Sequence, residues 1–449
     1  MTLHIVELKM ENLTYTIPGG FNAASYSSEL ELWERPRAQS FKGLWRWWLR
    51  ALLGGALWKG GKYDMEKVQQ ITENLLGSIN QASKFIIHVS VDGRARPVEA
   101  RAIKEWRQRR LQLTTIPNAL LQWAPPSPRI SPLPPRLSLL LLAREGEDRL
   151  AERISCYKPG DLKITIELLK RPSIDVGREE CSIAISSFLL SLIFGGIGAI
   201  TRRGFGSLSF LQIEMNKEFQ EYEDLVNKIM KTNDLKDVGI LLHQLVEESL
   251  SDAQRVLRVK DTVSLSEVSD YPLLSEPGNP PECIRPFNLN VFTLSIPEVT
   301  ANERNAFQLF RFEDYEAMKL LTVIGYSTMK TFWKLIDGKE VDVPDSIWET
   351  WIMGLPRGQE HKGKKTGYWL DDELGRRISA ISIKPIKRLR KNLWVISMYG
   401  FLSKDWNSTL YHYSTKKQKF EKIIISPERI SKAFIDAWIK LKQIYGVKQ

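Results

Sequence analysis

The chain contains 449 residues, of which 43% are hydrophobic and 26% are charged, as is typical of a soluble globular protein. Its length excludes a single small core and predicts two to four domains. The 64 Lys and Arg residues outnumber the 53 Asp and Glu residues, so the formal net charge is +11. This excess favours a polyanionic partner such as a nucleic acid.

The three cysteines, Cys156, Cys181 and Cys283, are far apart and lack the spacing of metal ligands. We therefore expect no disulfide framework and a reducing, cytoplasmic location. The first residues do not show the charged and then apolar pattern of a signal peptide. The uncharged run 183–200 approaches the length of a membrane span, but its serines favour a helix buried in a domain core.

The first predicted elements are a strand, a loop and a helix. Residues 3–10 alternate apolar and polar side chains and predict a strand. A turn follows at 15–20, and residues 21–39 are polar and loop-like. Residues 40–54 then predict an amphipathic helix with Ser40 as its N-cap. Its apolar face would carry Leu44, Trp45, Trp48, Ala51 and Leu52.

A basic stripe lies beside that apolar face. Lys42, Arg46 and Arg50 are spaced by four residues, and no acidic residue occurs between Arg37 and Asp64. Two interpretations stay open: a charged face in solvent, or a surface that binds phosphates.

The next segment of the chain mixes strands with basic and proline-rich stretches. Residues 84–91 predict a strand. Residues 94–110 contain seven basic and two acidic residues and form either an RNA-facing arm or a solvated helix. Seven prolines in 117–135 predict an extended connection. Further strands are predicted at 137–142 and 161–169.

A glycine-rich loop then follows the apolar helix at 183–200 and precedes a strand at 208–213. Glycines allow close backbone approach and positive φ, and exposed N–H groups of such a loop can bind an anion. Two adjacent arginines add forked donors that fit phosphate. We predict a loop that binds a nucleic-acid backbone, with an ordinary glycine turn as the alternative. The assigned loop residues are Gly195, Gly196, Gly198, Arg202, Arg203 and Gly204.

The order strand, helix, strand, strand, helix, strand is the βαββαβ order of ferredoxin-like and RNA-recognition folds. We therefore predict an α+β protein with two ferredoxin-like (RRM-like) domains at 1–215 and 283–449. Residues 216–282 would form a helical linker or insertion between them.

The second half predicts a less certain copy of the same plan, since its fourth strand is not obvious. Strands are predicted at 287–294, 376–384 and 392–402, and the second of these opens with Arg376 and Arg377. Helices are predicted at 314–337 and 426–445.

Motifs of known catalytic chemistry are missing from the sequence. The five histidines do not pair at metal-binding spacing, and no P-loop or nucleophile elbow occurs. We predict no catalytic residue, metal or cofactor. RNA cleavage without a metal, by a positioned His or Tyr, stays open. The histidines are His4, His88, His243, His361 and His412.

Two segments together resemble the RAMP superfamily of CRISPR-associated proteins: SFKGLWRWWLRALLGG at 40–55 and GGIGAITRRGFGSLSF at 195–210. The second is similar to the glycine-rich loop of that superfamily. The first resembles more narrowly the first subunits of Cmr complexes, the type III-B RNA-targeting effectors. The segments at 351–358 and 376–388 are similar to the second half of those subunits.

The resemblance implies a non-catalytic RNA-binding subunit in the cytoplasm, with other Cmr RAMP subunits as neighbours and no membrane partner. It places the subunit at the end of the effector that holds the 3′ region of the guide RNA (crRNA), where it helps to capture target RNA in antiviral defence. The stripe Lys42, Arg46 and Arg50 and the glycine-loop residues would contact RNA, and we add Arg376 and Arg377. Alternatives are a metal-independent RAMP endoribonuclease that processes guide precursors, and an assembly cap without RNA contact.

Overall fold

A computed structural model describes the chain in seventeen stretches, and the statements below concern these stretches only. They are residues 3–19, 26–27, 32–59, 64–93, 96–99, 153–259, 271–274, 292–293, 305–313, 317–329, 333, 349–355, 359–361, 364–370, 378–390, 393–414 and 418–444. The predicted strand 137–142, the proline-rich stretch 117–135, most of the basic stretch 94–110, and Arg376 and Arg377 lie outside the described residues.

The α-helices of the described stretches include most of the predicted ones and one, α2, that was not predicted. They are α1 (Ala38–Lys59), α2 (Met65–Leu76), α3 (Arg178–Phe194), α4 (Gln220–Lys231), α5 (Leu235–Leu257), α6 (Ala317–Ser327) and α7 (Pro427–Ile444). Short 3-10 helices occupy Lys217–Phe219 and Thr350–Met353.

Two helix boundaries differ from the prediction. Ser40 is not an N-cap, because α1 already begins at Ala38 and the Ser40 N–H donates to the Arg37 carbonyl within the first turn. Helix α3 ends at Phe194 rather than Ile200, because Gly195 leaves the helical conformation there. Within the described ranges, no helix combines the length and the hydropathy needed to cross a membrane.

The strands of the first half are β1 (His4–Asn12), β2 (Tyr26–Ser27), β3 (Leu32–Trp33), β4 (Phe85–Asp92), β5 (Arg96–Glu99), β6 (Arg153–Cys156), β7 (Lys163–Lys170) and β8 (Leu208–Met215). The second half contains β9 (Phe292–Thr293), β10 (Asn305–Glu313), β11 (Gln359–His361), β12 (Lys364–Trp369), β13 (Ile381–Arg390), β14 (Leu393–Phe401), β15 (Thr409–Ser414) and β16 (Lys419–Ile424). The short hairpin β2–β3 lies in a segment that was predicted as loop.

The first four-stranded sheet has the order β4-β7-β1-β8, and every neighbouring pair is antiparallel. Helix α1 follows β1 and helix α3 follows β7, so the order of elements agrees with the βαββαβ prediction for this half. Alternate residues such as Leu8 and Ile166 are buried, and they join the apolar faces of α1 and α3 in one core. The α+β class is confirmed.

The second half contains two antiparallel sheets, β13-β14-β10-β9 and β11-β12-β15-β16. Its central strand β10 was not predicted. The strand predicted at 287–294 is described only as the two residues of β9. Strand β9 pairs with β10 and forms the edge of this four-stranded sheet. The predicted helix 314–337 is described as α6, which ends at Ser327.

Helices α4 and α5 pack into the core of the first half rather than spanning open space between two domains. Leu225 of α4 and Leu242 of α5 belong to the same buried cluster as the first sheet. Asp252 of α5 is fully buried and accepts hydrogen bonds from the Tyr222 hydroxyl and, at 2.6 Å, from the Arg255 guanidinium. The network satisfies a buried carboxylate and fixes α4 against α5.

The two halves meet at the glycine-rich loop. Arg203 pairs with Ile383 of β13 in an isolated β-bridge, and the Ile383 N–H donates to the Arg202 carbonyl at 3.2 Å. The Tyr399 hydroxyl of β14 donates to the carbonyl of Phe194, the last residue of α3. The loop is therefore held by backbone contacts to the second half as well as the first.

Candidate nucleic-acid interface

The predicted apolar face of α1 is confirmed, since Trp45, Trp48, Ala51 and Leu52 are buried and Leu44 packs against the core. The Trp45 indole N–H donates to the Ser187 hydroxyl of α3 at 2.8 Å. This contact satisfies the polar atom of a buried aromatic side chain and sets the rotation of α1 about its axis. The rotation in turn decides where the basic stripe points.

The basic stripe does not form one free surface. Arg46 donates to the carbonyls of Leu76 and Gly77, at 3.1 and 2.7 Å, and so caps the C-terminal end of α2. Burial and the neighbouring positive charges of Arg46 and Arg171 lower the pKa of Lys42. Of the three, Arg50 is exposed. Arg46 thus has a structural role at the end of α2, and its predicted RNA contact stays a prediction.

The glycine-rich loop folds tightly back on α1 and on the residues after β1. A Cβ on Gly195 would lie 2.6 Å from Leu44 of α1, and a Cβ on Gly198 would lie 2.3 Å from the Ile17 carbonyl oxygen. Gly198 also has a φ of +89°, which L side chains rarely adopt. Both glycines are therefore required by close backbone approach.

Gly204 faces protein rather than solvent. Its φ is +84°, and a Cβ there would lie 2.9 Å from Leu321 of α6 and 3.1 Å from Pro385 of β13. This glycine therefore allows the second half of the chain to pack against the loop, and its predicted RNA contact stays a prediction.

The two adjacent arginines of the loop have opposite surroundings. Arg203 is 5% exposed, and its guanidinium donates to the carbonyls of Met353, Arg202 and Ile381 at 2.7 to 3.2 Å. Arg203 therefore fastens the loop to the second half, and its predicted phosphate contact stays a prediction.

Arg202 is only partly buried and lies at the surface of the loop. Its guanidinium donates to the Ser379 carbonyl at 2.9 Å and to the Ser382 hydroxyl at 3.3 Å. The guanidinium carbon lies 5.3 Å from the centre of the Trp47 ring, within the range of a cation–π contact. These contacts orient a side chain that carries a permanent positive charge.

A cavity of about 550 Å³, here called the glycine-loop groove, lies between the N-terminal part of α1 and the loop. It brings together the two segments that the sequence singled out. No Asp, Glu or His is among its described lining residues. The lining residues include Arg35, Gly43, Trp47, Gly196, Gly198, Thr201, Arg202 and Tyr399.

The groove carries a positive potential from several sources. The N-terminus of α1, a helix of 22 residues with no acidic residue in its first turn, lines one wall. Arg35 is exposed beside it, and Arg202 lies on the opposite wall. The N–H groups of Gly196, Gly198 and Thr201 donate to no acceptor among the described residues. The arrangement fits a phosphate group.

Arg35, Trp47 and Tyr399 are among the groove residues that were not predicted as site residues from the sequence. Arg35 precedes α1 in a segment that reads as loop, so only the position of the helix start could have indicated it. Trp47 falls between the predicted apolar face and the basic stripe. Tyr399 comes from β14, which is distant in sequence, and its hydroxyl is turned inward to the Phe194 carbonyl.

The exposed face of the first sheet is unsuited to a polyanion. Glu7 lies beside Glu167 on one neighbouring strand and beside Glu214 on the other. Lysines on that face are paired, Lys9 with Glu7 at 3.6 Å and Lys163 with Glu11. A row of three carboxylates repels phosphate, so the sheet face does not compete with the groove.

Other chemistry has little support within the described stretches. No group of three or more His, Cys, Asp or Glu side chains is placed to hold a metal ion there. His243 and His412 are buried, and His88 lies 3.5 Å from Glu167 on the sheet face. Cys156 is buried, which raises the pKa of its thiol to about 12 and makes it a poor nucleophile at neutral pH.

The α+β fold and the positively charged groove agree with a class of nucleic-acid-binding proteins. The model of the RAMP superfamily matches residues 37–209, a range that includes α1 and the glycine-rich loop. The resemblance of this chain to CRISPR-associated RAMP proteins is confirmed.

The particular relatives are subunits of CRISPR Cmr systems. The subunit Cmr1 of Saccharolobus solfataricus is 24% identical over 283 residues. That match includes 52% of this chain and 60% of the relative, so this chain spans under two thirds of the curated relative's length.

Solved structures share the fold over nearly the whole chain. A chain of the type III-B Cmr-beta complex bound to cognate target RNA matches with a TM-score of 0.53 and 17% identity, over 98% of this chain and 99% of that one. A chain of the same complex bound to target RNA and AMPPnP in the presence of single-stranded DNA matches with a TM-score of 0.51 and 15% identity. That match includes 99% of this chain and 100% of the other.

Proposed function

We propose that this chain is a non-catalytic RAMP subunit of a type III-B Cmr effector and that it binds the RNA backbone in the glycine-loop groove. One observation carries the proposal: three loop N–H groups without an acceptor among the described residues, Arg202 and the N-terminus of α1 converge on one cavity. The similarity to Cmr1 and to the Cmr-beta chains supports the assignment to the effector.

The finer role is the one implied by the family resemblance. The subunit sits at the effector end that holds the 3′ region of the guide RNA, contacts other Cmr RAMP subunits and helps to capture target RNA. Its two halves, at 1–215 and 283–449, are ferredoxin-like domains, and the order of the first sheet supports this for the first half. The insertion proposed at 216–282 contains α4 and α5, which pack on the first half.

The contacts in the groove are to phosphate and not to base edges, since backbone N–H groups and arginine donors suit phosphate oxygens. Binding is then tolerant of sequence and sensitive to salt. No described lining residue is a carboxylate or an imidazole, which supports binding rather than cleavage.

Gly43 offers the sharpest test, because a Cβ at this position of α1 meets nothing within 4 Å and the residue lines the groove. Gly43→Glu places a negative charge in the groove, and Gly43→Ala is its matched control. Affinity for labelled single-stranded RNA is measured by fluorescence anisotropy over a salt series, with the full chain alone and in the assembled effector.

We expect Gly43→Glu to weaken RNA binding about tenfold or more, whereas Gly43→Ala binds like the unchanged chain. Equal binding by both variants would show that RNA lies elsewhere. The endoribonuclease alternative is checked with the same protein, incubated with repeat-containing RNA in EDTA. A discrete product would favour the enzyme.

A further inference from the structure

Lys384 of β13 is the one described lysine that is both fully enclosed and unpartnered. It is 1% exposed, and its Nζ has no hydrogen-bond partner among the described residues. Lys387, three residues further along β13, shows the usual arrangement for a buried lysine. Its ammonium donates to the carbonyls of Ile229, Met230 and Thr232 at the end of α4. An unpaired buried ammonium is costly, so its presence requires a reason.

Lys384 lies directly beneath the glycine-loop groove. Its Nζ is 3.2 Å from the point where a Cβ on Gly196 would lie, so the amine faces the underside of the loop at a residue that has no side chain. The Gly196 N–H has no acceptor among the described residues. On the neighbouring strand β14, the residue opposite Lys384 is Ser397, whose hydroxyl is turned to the Lys384 carbonyl at 3.1 Å.

The same face of β13 and β14 supplies other residues of the groove. Ser382 precedes Lys384 by two positions and accepts from Arg202, and its opposite residue Tyr399 lines the groove. Lys384 is therefore part of the layer that supports the loop, although it comes from the half of the chain that the RAMP superfamily match does not include.

We propose that Lys384 is a further phosphate-binding residue, whose ammonium places positive charge beneath Gly196 for a phosphodiester held by the loop N–H groups and Arg202. The inference rests on the proposed function and deepens it: the anion site is completed by the second half of the chain. The ligand chemistry is a phosphodiester of RNA. Burial lowers the pKa of Lys384 to about 7, and a bound phosphate would favour its charged form.

The test uses Lys384→Met, which keeps the length of the side chain and removes the charge, and Lys384→Gln as a second neutral variant. Lys387→Met is the matched control, because that buried lysine is paired and does not line the groove. Thermal unfolding and RNA affinity over a salt series are measured on each full-length variant, with Arg202→Met as a reference for a lost groove contact.

We expect Lys384→Met to unfold at a higher temperature and yet to bind RNA about tenfold or more weakly. The slope of log affinity against log salt should fall by about 0.7, as for one lost phosphate contact to a single strand. Lys387→Met should unfold at a lower temperature with unchanged affinity. If Lys384 had only a structural role, its replacement would not raise stability and lower RNA affinity together.

Two outcomes would count against the inference in distinguishable ways. If Arg202→Met and Gly43→Glu weaken binding but both neutral Lys384 variants bind normally, the groove binds RNA and Lys384 has no part in it. If none of these variants changes affinity, the proposed function itself is overturned.

Discussion

The guanidinium carbon of Arg202 lies 5.3 Å from the centre of the Trp47 ring, so a residue of the loop is oriented by a residue of α1. Trp47 is itself held edge-on by Trp48 and by Phe401 of β14, each with ring centres 5.3 Å apart. The orientation of Arg202 thus depends on the packing of α1 against the second half.

Removing the Trp47 ring should release Arg202. We expect Trp47→Leu to weaken RNA binding about two- to fivefold, the range that a cation–π contact at a partly exposed site explains. Trp47→Phe retains an aromatic face and should lose less. Anisotropy titrations with single-stranded RNA measure both, and a Trp47→Phe variant weaker than Trp47→Leu would contradict the role of the ring.

Arg202 and Arg203 should separate binding from stability. Arg203→Met removes the buried hydrogen bonds to the Met353 and Ile381 carbonyls, and we expect a loss of about 2–4 kcal/mol in unfolding free energy. Arg202→Met should cost about 1 kcal/mol or less, because that side chain is partly exposed, but it should weaken RNA binding.

Urea unfolding followed by tryptophan fluorescence measures the stability of the arginine pair, and RNA anisotropy measures its binding. Equal stability losses in the two variants would refute the assignment of Arg203 as the residue that joins loop and second half.

Gly198 and Gly43 give opposite stability predictions for the same substitution. Gly198→Ala would place a Cβ 2.3 Å from the Ile17 carbonyl oxygen at a φ of +89°. We expect this clash and backbone strain to lower the free energy of unfolding by about 2–4 kcal/mol. Gly43→Ala meets no atom within 4 Å on a helix and should stabilise the fold by about 0.5–1 kcal/mol. Chemical denaturation checks both, and a neutral Gly198→Ala would show that the loop is not closely packed.

Lys384 predicts a pH dependence of stability. Its folded-state pKa is about 7 against an ordinary value of 10.5, so the folded chain binds fewer protons than the unfolded chain between these values. Stability therefore rises with pH across that window, and the unfavourable contribution is fully present below pH 7. At neutral pH, Lys384→Met should be about 4–5 kcal/mol more stable, at ~1.4 kcal/mol per pKa unit.

The stability advantage of Lys384→Met should shrink as pH approaches 10. The burial of Lys387, whose pKa is lowered to about 8, affects both proteins equally and cancels in the comparison. Urea unfolding at several pH values measures this difference in unfolding free energy between Lys384→Met and the unchanged chain. A pH-independent difference would mean that Lys384 is charged in the folded chain.

Residues with a clear periodicity were predictable from the sequence. Trp45, Trp48 and Leu52 recur at helical spacing, and the alternation in β1 and β7 follows from one buried sheet face. The association of α1 with the glycine loop was inferred from a resemblance, and in the structure the two segments line one groove. Helix α2 and strand β10 were missed.

The fate of individual charged residues was not predictable. Arg202 and Arg203 are neighbours of the same type, but successive residues of a turn point in different directions, and only the docking of β13 decides which is buried. Arg46 reads as a member of a surface stripe, and its capping of α2 depends on a helix that was not predicted. Lys384 lies on a strand whose two faces are both covered.

The Arg203 contacts also bear on how the chain matures during synthesis. Its acceptors at Met353 and Ile381 lie about 150 and 178 residues downstream. A nascent chain that has released only its first half must keep this guanidinium hydrated and its loop unanchored. If the groove binds RNA as proposed, we expect an incomplete chain to lack that binding until the C-terminal sheet has been made and has docked on the loop.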